Sequence, residues 1–319
     1  MPRRPLSLAI YRRMTATALV MVSAIIVTGA AVRLTDSGLG CPDWPNCAKG
    51  RLVQVTNGHQ AVEQINRLFT GAMTVALIVT VLGAFRLAER RQDLRRLSLA
   101  LVVGVVAQAV LGGVVVLTHL HPLAVQQHYN LSIAIVTAAV VLHRRAAEPP
   151  GPREPTVPRP IVRHVRLLVG LTALALIAGT VVTGAGPHSG HAPNDPTKVR
   201  RFDIAITTAA RVHSGAVWLA MLTALGLAWR MRGQRWRPAL DDALSLFLIA
   251  GLTQGAIGYT QYALGVPAGI VEIHVLGSVL VWIAAVRLLL ACRGPIAVGG
   301  TEDRSHVFAE AVAPPVNGA

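Results

Sequence analysis

Apolar residues dominate eight stretches of the chain, at about 14–32, 64–85, 97–117, 125–142, 166–184, 205–228, 243–262 and 270–291. Each approaches the roughly 20 residues an α-helix needs to cross a bilayer. None shows the short apolar–polar alternation that marks an outer-membrane barrel. The pattern predicts an all-α polytopic membrane protein of eight transmembrane helices, the fourth being the shortest. Basic residues precede the first run, as in a secretory signal. Met14–Val32 is long enough to span and seven runs follow, so it reads as a retained first helix.

Between the fourth and fifth runs the pattern breaks for longer. Pro149, Pro150, Pro152, Pro155, Pro158 and Pro160 make the connection a semi-extended linker. The expected organisation is an N-terminal segment 1–13, a four-helix half 14–142, the linker 143–165, a second four-helix half 166–291, and a tail 292–319. The tail is rich in Gly, Ala and Pro and is expected to be disordered.

The halves repeat. Val27-Thr28-Gly29-Ala30 matches Val182-Thr183-Gly184-Ala185, and Arg67-Leu68-Phe69-Thr70 matches Arg211-Val212-His213-Ser214. Gln108-x-x-x-Gly112 precedes His128 by the interval at which Gln254-x-x-x-Gly258 precedes His274. The three offsets are 155, 144 and 146 residues. An even number of helices per half gives both the same orientation, so the expected architecture is two four-helix bundles related by a pseudo-two-fold axis along the membrane normal.

Composition agrees: 53% of the 319 residues are hydrophobic, 14% are charged, and mean hydropathy is +0.52. The net charge of +15 could suggest nucleic acid, but its distribution argues otherwise. Arg3, Arg4, Arg12 and Arg13; Arg86, Arg90, Arg91, Arg95 and Arg96; Arg144, Arg145, Arg153, Arg159, Arg163 and Arg166; Arg230, Arg232, Arg235 and Arg237; and Arg287, Arg293 and Arg304 all fall on alternate connections. The positive-inside rule then predicts a multi-pass plasma-membrane protein with both termini cytoplasmic. No loop is large enough for a folded nucleic-acid-binding domain.

The first external loop, about 33–62, holds Cys41-Pro42-Asp43-Trp44-Pro45-Asn46-Cys47. Its two prolines make it a tight non-helical turn. On the oxidising side of the membrane a Cys41–Cys47 disulfide is expected, either as a loop staple or as a redox thiol pair. Cys292 reads as an inert buried or interfacial thiol.

Ionisable groups inside hydrocarbon are costly and usually face the bundle interior. Glu63, Asn66 and Arg67 open the second helix, His128 the fourth, Arg211 and His213 the sixth, and Glu272 and His274 the eighth. All lie in the outer half of the membrane. His213 and His274 on facing helices can hold a haem iron from both sides; the alternative is that each is a hydrogen-bonded core histidine. Arg67 and Arg211 are candidate partners of a propionate; Arg67 can equally pair with Glu63, and either can snorkel outward. Glu63, one turn from Arg67, is either a carboxylate beside a reacting group or half of an intrahelical ion pair.

Leu34-Thr35-Asp36-Ser37-Gly38-Leu39-Gly40-Cys41-Pro42-Asp43-Trp44-Pro45-x-Cys47, Glu63-x-x-x-Arg67, Thr183-Gly184-x-Gly186-Pro187-His188 and the paired helix-opening histidines together resemble the haem A synthase family, across about residues 14–291. The resemblance implies an eight-helix enzyme that oxidises the C8 methyl of haem O to a formyl group, through a hydroxymethyl intermediate, giving haem A for cytochrome c oxidase. It implies a resident haem b on His213 and His274, a substrate site at His128 with Glu63 catalytic, and Cys41 and Cys47 as the first-loop pair. Haem O synthase, an electron donor, membrane lipid and a second copy of the chain are the partners it suggests. The family often has Glu-x-x-His-Arg where this chain has Glu63-Gln64-Ile65-Asn66-Arg67. Asn66 is a poor iron ligand, so His128 is expected to bind the substrate haem alone. His59, two turns earlier, is a substitute if the helix reaches it. A non-enzymatic di-haem carrier or haem-delivery protein is the main alternative, and a transporter the second.

Overall fold

The computed structural model describes residues 5–192, 199–233 and 238–295. Arg3, Arg4, Arg235, Arg237, Arg304 and most of the tail lie outside the described residues. Eight helices are long and apolar enough to span a membrane. They are α1 (Leu8–Leu34), α2 (Gly58–Phe85), α3 (Gln92–Leu117), α4 (Pro122–Ala146), α5 (Arg159–Ala185), α6 (Ile206–Met231), α7 (Pro238–Ala263) and α8 (Ala268–Ala291).

All eight apolar runs are helical, and each helix outlasts its run at one or both ends, because polar caps and amphipathic turns continue it where the hydrocarbon stops. Asn57 Oδ1 accepts from Gln60 N at 2.9 Å and starts α2 at Gly58, well before the apolar run. His121 caps α4, with Pro122 at its first position. The shortest helix is α8, at 24 residues, whereas α4 has 25.

Helix α1 packs on α2 and α4, α2 on α3, and α3 on α4, so the first four helices close a ring. Helix α5 packs on α6 and α8, α6 on α7, and α7 on α8. Contacts between the two sets run through α1–α8, α4–α8 and α4–α5. Exchanging α1–α4 for α5–α8 leaves this set of neighbours unchanged. Leu77, Leu101, Val136, Leu168, Leu227, Phe247 and Leu288 are buried between helices, while Val103, Ile249 and Leu252 point outward, as lipid-facing positions should.

Polar side chains stitch the seam between the sets. Gln126 Nε2 donates to Thr180 Oγ1 at 2.7 Å and Trp282 Nε1 to Thr137 Oγ1 at 2.8 Å; the hydroxyls of Tyr129 and Ser278 lie 2.9 Å apart. At the loop end, Arg33 Nη2 donates to the Thr183 carbonyl at 2.7 Å. Hydrocarbon offers these groups no water, so each finds its partner across the seam.

The opposite end is more ordered than the linker and tail composition predicts. Strand β1 (Arg153–Pro155) pairs antiparallel with β2 (Arg293–Pro295), and Thr156 N donates to the Cys292 carbonyl at 3.0 Å. The first residues of the expected disordered tail therefore clasp the linker. Cys292 is buried, with Sγ against the Leu288 carbonyl. Arg91, only 2% exposed, ties the same region together. It makes a two-nitrogen fork on Asp93 at 3.0 and 2.9 Å, and donates to the Glu148 and Arg145 carbonyls at 3.1 and 2.9 Å.

Because its removal strands a carboxylate and two carbonyls, Arg91→Ala is expected to cost about 3 kcal/mol. Unfolding of the full chain in detergent measures this. Arg91→Lys should recover only part of the loss, since one ammonium cannot reproduce the fork.

Candidate functional site

The two helix-opening histidines of α4 and α8 are held by the same arrangement. Gln108 Nε2, on α3, donates to the His128 carbonyl at 2.8 Å and to Ser132 Oγ at 2.6 Å. Gln254 Nε2, on α7, donates to the His274 carbonyl at 2.7 Å and lies 3.0 Å from His274 Nδ1. One turn beyond each glutamine is a glycine against which the ring rests: a Cβ on Gly112 would stand 3.2 Å from His128 Cε1, and one on Gly258 3.0 Å from His274 Cε1. The Gln-x-x-x-Gly spacing thus places a donor and a gap on one helix face, opposite a histidine.

His213 approaches from α6. Its Nδ1 lies 2.9 Å from the Ala175 carbonyl, which can only accept, so Nδ1 carries the proton and Nε2 keeps its lone pair. The His213 and His274 ring centroids are 6.3 Å apart, with planes at 81°. An imidazole nitrogen binds a metal at about 2 Å, with its ring centre about 1 Å farther on, so two rings sharing one ion stand about 6 Å apart. The measured separation fits that geometry. The hydrogen-bond contacts of both rings among the described residues are at Nδ1, and no third His, Cys, Asp or Glu groups with the pair there. Two imidazoles alone suit an iron whose other ligands come from a macrocycle.

The α2 face opposite α1 carries Asn66, whose Oδ1 accepts from Thr28 Oγ1 at 2.8 Å. Ala175 follows Thr28 by 147 residues, and His213 follows Asn66 by 147. These offsets, close to the 146-residue interval between His128 and His274, pair Asn66 with His213 by contact, beside the pairing of Arg67 with Arg211 by residue type. Arg211 is exposed, with no side-chain partner among the described residues. His128 Nδ1 is buried without a partner, as is Glu272 Oε2. Helix α2 does reach His59, whose Nδ1 lies 3.0 Å from Ser37 Oγ in the first loop.

Over this end lies the disulfide Cys41–Cys47. Glu63 and Arg67 hold its loop. Glu63 is buried; its Oε2 accepts from Cys41 N at 2.7 Å, and its Oε1 from Arg67 Nη2 at 2.6 Å and Nε at 3.1 Å. Arg67 also donates to the carbonyls of Cys41 at 3.1, Asp43 at 3.2, Pro45 at 3.3 and Asn46 at 3.0 Å. All three guanidinium nitrogens are engaged within the chain, which favours the ion-pair alternative for Arg67 and extends it to the loop. The Trp44 ring caps Gly113, where a Cβ would come within 2.7 Å of it. Gly113 adjoins the glycine beneath His128.

Pattern reading missed the loop-holding role of Arg67, the cap by Trp44 and the Thr28–Asn66 contact. The glutamines were visible as a repeated motif, although their target, a histidine carbonyl, was not. Arg67→Ala should loosen the loop by the worth of several hydrogen bonds to a charged group, at ~1.5–3 kcal/mol each. The expected result is at least about tenfold faster reduction and alkylation of Cys41 and Cys47.

The family model described as cytochrome oxidase assembly protein matches residues 12–64 and 53–286. Heme A synthase of Shewanella oneidensis is 24% identical over 326 aligned residues, covering 85% of this chain and 93% of that protein. Heme A synthases of Lysinibacillus sphaericus and Listeria welshimeri are 27% identical over 119 and 127 residues, covering 37% and 39% of this chain and 39% and 41% of theirs. With nearly the whole eight-helix body matched, the chain belongs to the cytochrome oxidase assembly protein family in which the haem A synthases stand.

Proposed function

We propose that this chain is a haem A synthase, an oxidoreductase that converts the C8 methyl of haem O to a formyl group for cytochrome c oxidase. The observation that carries the reading is the inequality of the two histidine sites. His213 and His274 stand at the separation expected for one shared iron, whereas Asn66 occupies the equivalent place on α2 and His128 keeps an unpartnered ring nitrogen. A resident haem b on His213 and His274 would supply one-electron chemistry. A substrate held by His128 alone can be exchanged, as a haem that enters, reacts and leaves must be.

The chain's own residues then divide the work. Gln108 and Gln254 fix the backbone beneath each imidazole. His213 offers Nε2 because the Ala175 carbonyl takes the Nδ1 proton. Glu63 is the carboxylate of the substrate half. Paired with Arg67, it can in its carboxylate form accept a proton or stabilise positive charge developing at the methyl carbon. Two successive two-electron oxidations of that carbon, each with dioxygen as oxidant placing one oxygen atom on the carbon while the electron donor's two electrons and two protons take the other to water, would give the hydroxymethyl group and then the hydrated aldehyde, which loses water. Arg211, exposed and unpartnered among the described residues, is the candidate for a propionate.

The two sets of four helices are read as repeats related by a pseudo-two-fold axis. Support comes from their interchangeable neighbours and the shared Gln–His arrangement. By the positive-inside rule, the arginine-bearing connections support a reading with both termini in the cytoplasm and the histidines toward the external side. Haem O synthase and an electron donor are the partners this chemistry requires.

Glu63→Ala should lower conversion of haem O to haem A by at least about a hundredfold, the lower range for a lost proton-transfer group. The optical spectrum of the His213/His274 haem should not change. His274→Ala should abolish that spectrum. Pigment extraction from membranes co-expressing a haem O source reads the first outcome, and unchanged haem A yield from Glu63→Ala would refute the assignment.

A further inference from the structure

Away from the histidines, a groove of about 330 Å³ opens between the start of α5 and the end of α6, lined by Pro160, Arg163, His164, Leu167 and Arg230. Pro160, Arg163, His164 and Leu167 recur at the spacing of one helix face. His164 fastens the floor, its Nε2 lying 3.0 Å from the Thr223 carbonyl of α6. Arg163 and Arg230 are exposed, one from each helix, and neither has a side-chain partner among the described residues. Leu167, one turn deeper than Arg163, is 56% exposed and faces the hydrocarbon.

The depth is that of a membrane interface. Trp229, next to Arg230, is exposed with the Arg232 guanidinium over its ring. Indoles collect where headgroups meet acyl chains. The groove therefore combines two unneutralised guanidiniums at headgroup level with an apolar wall running into the bilayer. A guanidinium fork matches phosphate oxygens. A free anion would leave the apolar wall unused, and a protein carboxylate would meet it only at the membrane surface.

We propose that this groove is a binding site for the phosphate of one anionic phospholipid, with Arg163 and Arg230 on the headgroup and an acyl chain along Leu167. Basic pockets between transmembrane helices on the arginine-rich side are suited to such headgroups. The site is independent of the proposed haem chemistry.

Native mass spectrometry of the full chain in detergent, with phosphatidylglycerol and phosphatidylcholine in equal amounts, tests it. The chain should retain one phosphatidylglycerol in preference to phosphatidylcholine. R163Q/R230Q should weaken that retention at least about tenfold, the loss of two interfacial cations, and each single variant should weaken it in part. R95Q/R96Q, in another basic segment, should leave it unchanged. Both groove arginines are exposed, so the variants should keep their helix content, which circular dichroism checks. Equal retention of both lipids, retention insensitive to R163Q/R230Q, or displacement of the lipid by millimolar inorganic phosphate would each overturn the proposal.

Discussion

A histidine about two turns inside an apolar helix must be oriented by its neighbours, because hydrocarbon supplies no hydrogen bonds. In this protein the orientation comes from an amide: the Nε2 of Gln108 on the His128 carbonyl and the Nε2 of Gln254 on the His274 carbonyl. Each bond fixes the backbone that carries the imidazole, and the glycine one turn beyond the glutamine gives the ring room. Substituting a larger residue at Gly112 or Gly258 would push the ring off its seat before touching anything else. The α3–α4 and α7–α8 contacts, the ring positions and the site geometry all follow from this pairing.

The same device serves two different sites. Between α6 and α8 the His274 ring meets His213 at 6.3 Å. On the α3–α4 side the corresponding α2 position is Asn66, whose side-chain oxygen is committed to Thr28. An amide oxygen is a weak partner for haem iron beside imidazole, which is why the proposed substrate site is read as holding its haem through His128 alone.

The helices were legible because hydrophobic length is a strong signal in a chain that must satisfy every backbone group inside the bilayer. Their ends were not, since caps such as Asn57 and His121 act where hydropathy has already fallen. The histidines and Glu63 stood out as polar exceptions in apolar runs. The register of the repeat did not. Matching Arg67 with Arg211 rests on residue type, whereas Thr28–Asn66 and Ala175–His213 are spatial contacts, which only the folded chain brings out, and they offer Asn66 as the counterpart of His213. Likewise, no spacing rule shows that one guanidinium will collect four carbonyls from a loop more than twenty residues away.

That loop gives Glu63 a constraint that an isolated ion pair would lack. Its two oxygens are divided, one to Arg67 and one to the Cys41 amide, and Arg67 in turn carries the carbonyls of residues 41, 43, 45 and 46. The carboxylate, the guanidinium and the disulfide-closed turn therefore move as one body, while Trp44 presses that body onto Gly113 beside the seat of His128. The role proposed for Glu63 needs a fixed position and a cover, and the Cys41–Cys47 turn supplies both through Glu63's own hydrogen bonds. Shifting the turn would move the carboxylate, so the loop and the proposed reaction site form a single mechanical unit.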